Sequence, residues 1–446
     1  MVLAGAGCRL GYDQLGTEPV DGGSGGADAG QTIDAGTPSE PVEFGQGASG
    51  ALDLTQGALQ VNGYAAVSGD VARASRSLTI DRSLVARTGA LVLIWQSGTK
   101  EQIESGQQSS IVLDASAIGQ WELVRLSAPL DGTSVELAEP TRNSYAGGTT
   151  QLVTVPEYST ATISAGARVI ARPWDGQVGG VIAFLVADKL VLDGAIDATG
   201  AGFRGGVAVP TGNQELHECV DLDEPAPGGE AKGEGAALGR YGMETTGRGN
   251  LANGGGGGSC HNNGGGGGGH QGAGGHGGIV SYEPGSLPPA LGGAALIASS
   301  NARLTMGGGG GAGESHHGGG SDGATGGGAI LLGARFLDGG GAIEADGLSA
   351  PFTTDGDAGG GGGAGGAIYI HSQEISGCKQ VSASGGAGGD SDDGAGGGGG
   401  GGGRIVAPTL PCPALVDSGP PGDGTHAAEP TGGAAGAIFS VAAGGF

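Results

Sequence analysis

Residues 328–347 read GAILLGARFLDGGGAIEADG, and the organisation of the chain unfolds from this stretch. Its first part, GAILLGA, is a glycine followed by a run rich in the apolar and β-branched residues that strands favour. The phrase recurs as GVIAFLVA from Gly180, GAIYIHS from Gly366, GRIVAP from Gly403 and GAIFSVA from Gly436. The last four starts, Gly328, Gly366, Gly403 and Gly436, are 38, 37 and 33 residues apart. A near-constant period of this size indicates a stacked, solenoid-like unit. The second part, GAIEADG at 341–347, has counterparts in GAIDATG at 194–200 and QVSASGG at 380–386. Side chains alternate across a strand, so Ile or Val and a later Ala point one way while Asp197, Glu344 or Ser382 points the other. Each repeat is expected to bury one face and to gain from its neighbours the cover that two short strands lack alone.

Glycine runs lie between these strand pairs, at 254–258, 264–269, 307–311, 359–363 and 396–403. Glycine makes up 108 of 446 residues, against roughly 7% in ordinary proteins. Flexible linkers usually mix glycine with serine and sit between domains. These runs recur inside the repeat, beside the same kind of strand, so they are predicted to be ordered. The predicted form is a left-handed threefold, polyproline-II-like helix packed against others of its kind. Without a Cβ, neighbouring backbones approach closely enough to hydrogen-bond in several directions. Collagen is excluded, because the glycines never keep an every-third-residue register.

Residues 51–175 differ in composition, with few glycine pairs and short strand-like runs such as LVLIWQS (91–97), WELVRL (121–126) and QLVTV (151–155). All three tryptophans, Trp95, Trp121 and Trp174, fall here and are expected in a core. The fold class that follows is all-β. A small β-sandwich at 51–175 precedes a glycine-rich, β-solenoid-like repeat body at 176–446, after a disordered Gly/Asp/Pro tether at 9–50.

The opening MVLAGAGCRLGYDQLG resembles the end of a bacterial lipoprotein signal, with Ala6 and Gly7 before Cys8 and residues 1–8 as its remnant. This implies lipidation at Cys8 and a place in the cell envelope, as an outer-membrane lipoprotein or a secreted protein. Four cysteines remain, Cys219, Cys260, Cys378 and Cys412, an even number that an oxidising compartment can pair in three ways. Sequence proximity favours Cys219 with Cys260 and Cys378 with Cys412.

The runs at 153–206, 253–278 and 303–313 together resemble a glycine-rich domain of surface proteins and lipoproteins from myxobacteria and related bacteria. The resemblance covers about 51–406 and implies a surface protein without an assigned biochemistry. The polyglycine blocks are more loosely similar to the glycine-rich domain of anaplastic-lymphoma-kinase-type receptors. That likeness implies a bundle of glycine helices beside a β fold in place of a true solenoid.

A formal charge of −26 repels phosphate, which argues against nucleic acid and leaves a lipid anchor as the only expected membrane contact. Aromatic residues at 4% are too few for a sugar-stacking surface. Six of the eight histidines cluster in the glycine-rich half, including His261, His270, His276, His316 and His317, but their spacing matches no standard metal motif. They are expected to bond exposed backbone, as Asn262 and Asn263 would. The segment GGAGGDSDD at 385–393 begins like a calcium-binding nonapeptide and then departs from it, so Asp390, Asp392 and Asp393 offer at most a weak calcium site. No cofactor is otherwise expected.

Asp197 and Glu344 are equivalent residues of two repeats on one outer face. Stacked directly they would stand roughly 5 Å apart, the separation of a retaining glycosidase pair. A large insertion separates them in sequence, so adjacency is not expected. The functional expectation is an exported, lipid-anchored structural protein for adhesion or envelope assembly, without catalysis, whose partner is a surface protein or glycan. The alternatives are a secreted polysaccharide-active enzyme on a β-helix, with Asp197 and Glu344 as its carboxylates, and a glycine-helix ligand-binding module.

Overall fold

Each apolar phrase that follows a recurring glycine forms a strand of one parallel sheet, and each phrase after it a strand of a second. The computed structural model describes residues 43–101, 103–209, 222, 229–238, 246–280, 288–298, 303–315, 318–354 and 356–441. Cys8, Cys219, His316, His317 and most of the tether lie outside them.

In chain order, β1 (Leu52–Leu54) and β2 (Gly57–Leu59) open the two sheets. An insertion follows, with β3 (Tyr64–Ala66), β4 (Ser77–Thr79), β5 (Leu91–Gln96), β6 (Ile111–Val112), β7 (Trp121–Arg125), β8 (Ser134–Glu136) and β9 (Thr150–Val155). The parallel sheets resume with β10 (Glu157–Tyr158), β11 (Ala161–Ile163), β12 (Ala167–Ile170), β13 (Val181–Leu192) and β14 (Ala195–Asp197). After the short β15 (Leu296–Ile297) come β16 (Ala329–Asp338), β17 (Ala342–Glu344), β18 (Ala367–His371), β19 (Glu374–Ile375) and β20 (Gln380–Ser382). The last strands are β21 (Arg404–Ala407), β22 (Ala414–Leu415) and β23 (Ala437–Ser440). The described residues contain no α-helix, and hence none long and apolar enough to cross a membrane.

The first sheet runs β1-β11-β13-β16-β18-β21-β23 and the second β2-β12-β14-β17-β20-β22, every neighbouring pair parallel. Successive coils thus place one strand in each sheet, which is a solenoid. Its interior is filled by Ile182, Phe184, Ile330, Leu332, Ile368 and Ile405 from the first sheet against Val169, Ile196, Ile343 and Val381 from the second. All ten are fully buried, and each such side chain contributes roughly 1.5–3 kcal/mol.

The first sheet is buried on both faces, where alternation alone suggested one. Val181, Ala183, Leu185, Leu331 and Tyr369 point away from the solenoid interior and pack on Leu91, Leu93, Trp95 and Val153 of the antiparallel sheet β3-β9-β5-β7. That is why Val181–Val186 reads as an unbroken apolar run. Trp95 and Trp174 are buried, Trp121 only partly, and Trp95 Nε1 donates to Leu304 O at 2.7 Å.

Composition placed a boundary at 175/176, but the sheets cross it. Residues 41–446 form one compact unit, because β1, β2, β11 and β12 are coils of the same solenoid and the sandwich-like part is an insertion between them. Composition also groups 43–50 with the tether, yet these residues are fixed. Phe44 is buried and stacks on His371 with ring centroids 4.7 Å apart, and Ser49 N donates to Glu157 O at 2.7 Å.

The glycine tracts at 359–363 and 396–403 lie on the returns that carry the chain from the second sheet back to the first, while those at 254–258, 264–269 and 307–311 belong to the long segment between β14 and β16; Gly328, Gly366, Gly403 and Gly436 each stand directly before a strand. Their hydrogen bonds repeat every three residues. Gly264 and Gly267 donate to Gly278 and Gly275, Gly265 and Gly268 to Gly359 and Gly362, and Gly266 and Gly269 to Gly256 and Asn253, all at 2.7–3.0 Å. The same tract accepts from Gly398 and Gly401, from Gly311 and Gly308, and from Gly293, so it is ringed by six neighbours. Threefold helices in a hexagonal array meet the requirement that every buried amide find a partner. No glycine of the five runs has a positive φ, so what they require is proximity. A Cβ on Gly265, Gly266 or Gly267 would lie 2.2, 2.2 or 2.1 Å from a carbonyl oxygen of a different neighbour.

A disulfide joins Cys378 and Cys412, which stand just before β20 and β22 on neighbouring coils. Cys260 is also disulfide-bonded.

Candidate functional site

The outer face of the second sheet is the surface on which the repeat arranges polar groups in order. Val169, Ile196, Ile343 and Val381 point into the solenoid, so the residues flanking them point outward. Strand register stacks Ile170, Asp197, Glu344, Ser382 and Leu415 in one column. Beside it run Arg168, Ala195, Ala342 and Gln380. Asp197 and Glu344 are therefore direct neighbours on β14 and β17, which the intervening insertion had argued against. The insertion leaves the coil as a loop and returns to the same register.

The acidic side chains of this face are held in place. Arg168 Nη1 donates to Asp197 Oδ2 at 2.7 Å and Thr199 N to Asp197 Oδ1 at 3.0 Å, which occupies both carboxylate oxygens. Gln380 Nε2 donates to Glu344 Oε1 at 2.8 Å. Asp346 Oδ1 accepts from Ser382 Oγ and Ser384 N, both at 2.6 Å. Burial lifts the Asp346 carboxyl above the ordinary aspartate range, with the Asp197 charge adding to it. A shallow depression of ≈ 330 Å³ lies elsewhere, among Val61, Val85, Arg87 and Pro156, and no carboxylate lines it.

Among the described residues the histidines do not assemble. His270 is fully buried, its Nε2 2.7 Å from Thr305 Oγ1, and burial drives its pKa down to about 3. His276 Nδ1 accepts from Gly292 N at 3.1 Å, the backbone bonding expected of an isolated polar group among glycines. Asn263 behaves likewise, its Nδ2 donating to Ser259 O and its Oδ1 accepting from Val280 N. Asp390 Oδ1 accepts from Asp423 N and Asp392 Oδ1 from Gly356 N, so these loop acids serve separate backbone positions. Among the described residues no three His, Cys, Asp or Glu side chains gather as a metal-binding group.

Sequence reasoning missed the charges inside the glycine bundle. Glu230, Lys232 and Glu234 are 2%, 0% and 1% exposed. Lys232 Nζ donates to Ser105 Oγ and Leu222 O, and Glu234 pairs with Arg204 Nε at 3.0 Å. Burial raises Glu230 to about 8 and Glu314 to about 7, each further raised by neighbouring carboxylates. The available signal was GGEAKGEG at 228–235, charges alternating with small residues inside a glycine segment.

No family model matches the sequence, and no curated protein matches it. Among solved structures, the chain is similar to three phage tailspikes at low scores. The tailspike protein gp49 from Pseudomonas phage LKA1 is 10% identical, with 35% of this chain and 31% of that one covered and a TM-score of 0.16. The Pseudomonas phage phi297 tailspike gp61 is 11% identical, with coverages of 76% and 60% and a TM-score of 0.17. The Gp54 tailspike of Acinetobacter baumannii bacteriophage AP22, solved in complex with A. baumannii capsular saccharide, is 8% identical, with coverages of 83% and 62% and a TM-score of 0.17. The chain spans less than two thirds of each of these proteins.

Proposed function

We propose that this chain is an exported structural protein of the cell envelope, lipid-anchored at Cys8, that displays the polar face of its second sheet for adhesion or assembly and turns nothing over. The observation that carries this reading is the threefold hydrogen bonding of the tracts at 264–269, whose every amide has a partner on one of three neighbours. Such a lattice holds each coil in place and keeps a regular face regular, which favours repeated contacts with a polymer such as a surface glycan. The half-buried carboxylate and amide groups of Glu344 and Gln380 suit hydroxyl-rich ligands.

The test is location and anchoring. Antibody labelling of intact cells should detect the protein, and a Cys8→Ser variant should move from the detergent phase to the aqueous phase on membrane partition. Labelling only after lysis would overturn the export reading, and unchanged partition of the variant would remove the anchor.

One observation favours a second reading, a polysaccharide-active enzyme: Asp197 and Glu344 stand on adjacent strands. Against it, both Asp197 oxygens are already engaged, so attack on a sugar would first break the Arg168 pair. Reducing ends released from a polysaccharide panel by the wild type and not by Glu344→Ala would establish that reading.

A further inference from the structure

Glu230 and Glu314 lie deep in the glycine bundle, 2% and 6% exposed, with no basic side chain paired to either among the described residues. Taking a carboxylate out of water without a countercharge costs several kcal/mol, and proteins normally pair such a group or give it a metal. Here only main-chain amides serve. Val209 N and Ser315 N donate to Glu230 at 2.8 and 3.2 Å, and Asn262 N donates to Glu314 Oε2 at 2.8 Å. Glu314 Oε1 accepts nothing among the described residues. The two acids share one corner of the bundle, because Ser315, which binds Glu230, follows Glu314 directly in the chain.

Asn262 supplies an independent observation. It is 7% exposed, it holds a left-handed φ of 56°, and its side-chain oxygen is buried without a hydrogen-bond partner. A buried acceptor left unmatched costs about 1–3 kcal/mol, and an orphan of this kind calls for an ion or a water. The amide of the same residue sits on Glu314, so Oδ1 lies within one residue's span of that carboxylate. The buried Asp357 adds negative potential at both glutamates.

We propose that Glu314, Glu230 and the Asn262 side-chain oxygen form a calcium site within the glycine bundle. Every donor is a hard oxygen, and two carboxylates balance the charge of one divalent ion. The tract carbonyls and water complete the shell of six to eight oxygens that calcium accepts in irregular geometry, where magnesium demands a strict octahedron. Only two of the ligands are acidic, in keeping with the absence of any cluster of three. The site is separate from the loop acids Asp390, Asp392 and Asp393, each committed elsewhere or exposed.

The experiment strips the full chain with EDTA and titrates it with calcium chloride, following bound metal by equilibrium dialysis and unfolding by thermal melting. The wild type should bind one equivalent and melt several degrees higher. Glu314→Gln and Asn262→Gly, the latter keeping the left-handed φ accessible, should each weaken binding at least tenfold. A triple Asp390→Asn, Asp392→Asn, Asp393→Asn variant should bind as the wild type does. In EDTA, Glu314→Gln should melt above the wild type, because its buried charge is gone; with saturating calcium the order should reverse. That crossover separates a lost ligand from a failure to fold. Absence of bound calcium, melting indifferent to calcium, or binding lost in the triple variant but kept in Glu314→Gln would each overturn the proposal.

Discussion

A Cβ on Gly361 would lie 2.0 Å from the carbonyl oxygen of Gly266, although no van der Waals contact of carbon with oxygen is that short. The two residues belong to different glycine tracts, and Gly311 is bonded to both, donating to Gly266 O and accepting from Gly361 N, each at 2.8 Å. A methyl group at position 361 must therefore push apart a lattice fixed from several sides. Gly361→Ala is expected to destabilise the protein by about 3 kcal/mol or more, at the upper end of overpacking costs. Gly340→Ala is the matched control, since nothing lies within 4 Å of its Cβ and its φ is not positive. That substitution should be neutral or stabilising by up to about 1 kcal/mol, because alanine restricts the unfolded chain. Urea unfolding of the two variants checks the contrast.

Amide exchange distinguishes lattice from linker. The amides of Gly264–Gly269, each donating at 2.7–3.0 Å inside the bundle, should exchange as slowly as those of β13 and β16. Hydrogen–deuterium exchange read by mass spectrometry resolves these peptides. Protection as low as in an unstructured glycine peptide would remove the rigid scaffold on which the proposed display function rests.

Reduction of the Cys378–Cys412 disulfide should loosen the last coils before the rest. The bridge spans a sequence separation of 34, for which loop entropy gives about 4 kcal/mol. Mild reductant, or a Cys378→Ser, Cys412→Ser double variant, should lower the melting temperature and raise exchange first in β22 and β23.

The solenoid was legible because its strands repeat a phrase, and alternation about Ile196, Ile343 and Val381 set their inward faces correctly. The glycine tracts were legible from their recurrence beside those strands. Most of what escaped depended on distant parts of the chain. The burial of Val181–Val186 on both faces depends on an antiparallel sheet inserted between β2 and β10, and the adjacency of Asp197 and Glu344 depends on where a long insertion re-enters. The Cys378–Cys412 pairing followed from spacing, whereas the charges of Glu230 and Glu314 were hidden in segments that composition marks only as glycine-rich.

His270 should make folding stability depend on pH below neutrality. Its imidazole is fully buried with Nδ1 unpartnered, and burial, reinforced by the Arg404 charge, holds its pKa at about 3. In the unfolded chain the same ring takes up a proton near pH 6.5. Between these values the unfolded state binds more protons than the native state, so stability rises with pH. The contribution is intact above about 6.5 and is lost progressively as pH falls towards 3. The slope for one group approaches about 1.4 kcal/mol per pH unit. His270→Gln keeps a polar partner for Thr305 and removes the titration. The difference in unfolding free energy between wild type and variant should therefore be constant above pH 7 and change steadily between pH 6 and 4.5, with the wild type losing ground. Other titrating groups, Glu230 and Glu314 among them, cancel in that difference. A flat difference over this interval would mean that the native imidazole is protonated and the pocket around Thr305 and Arg404 is open to water.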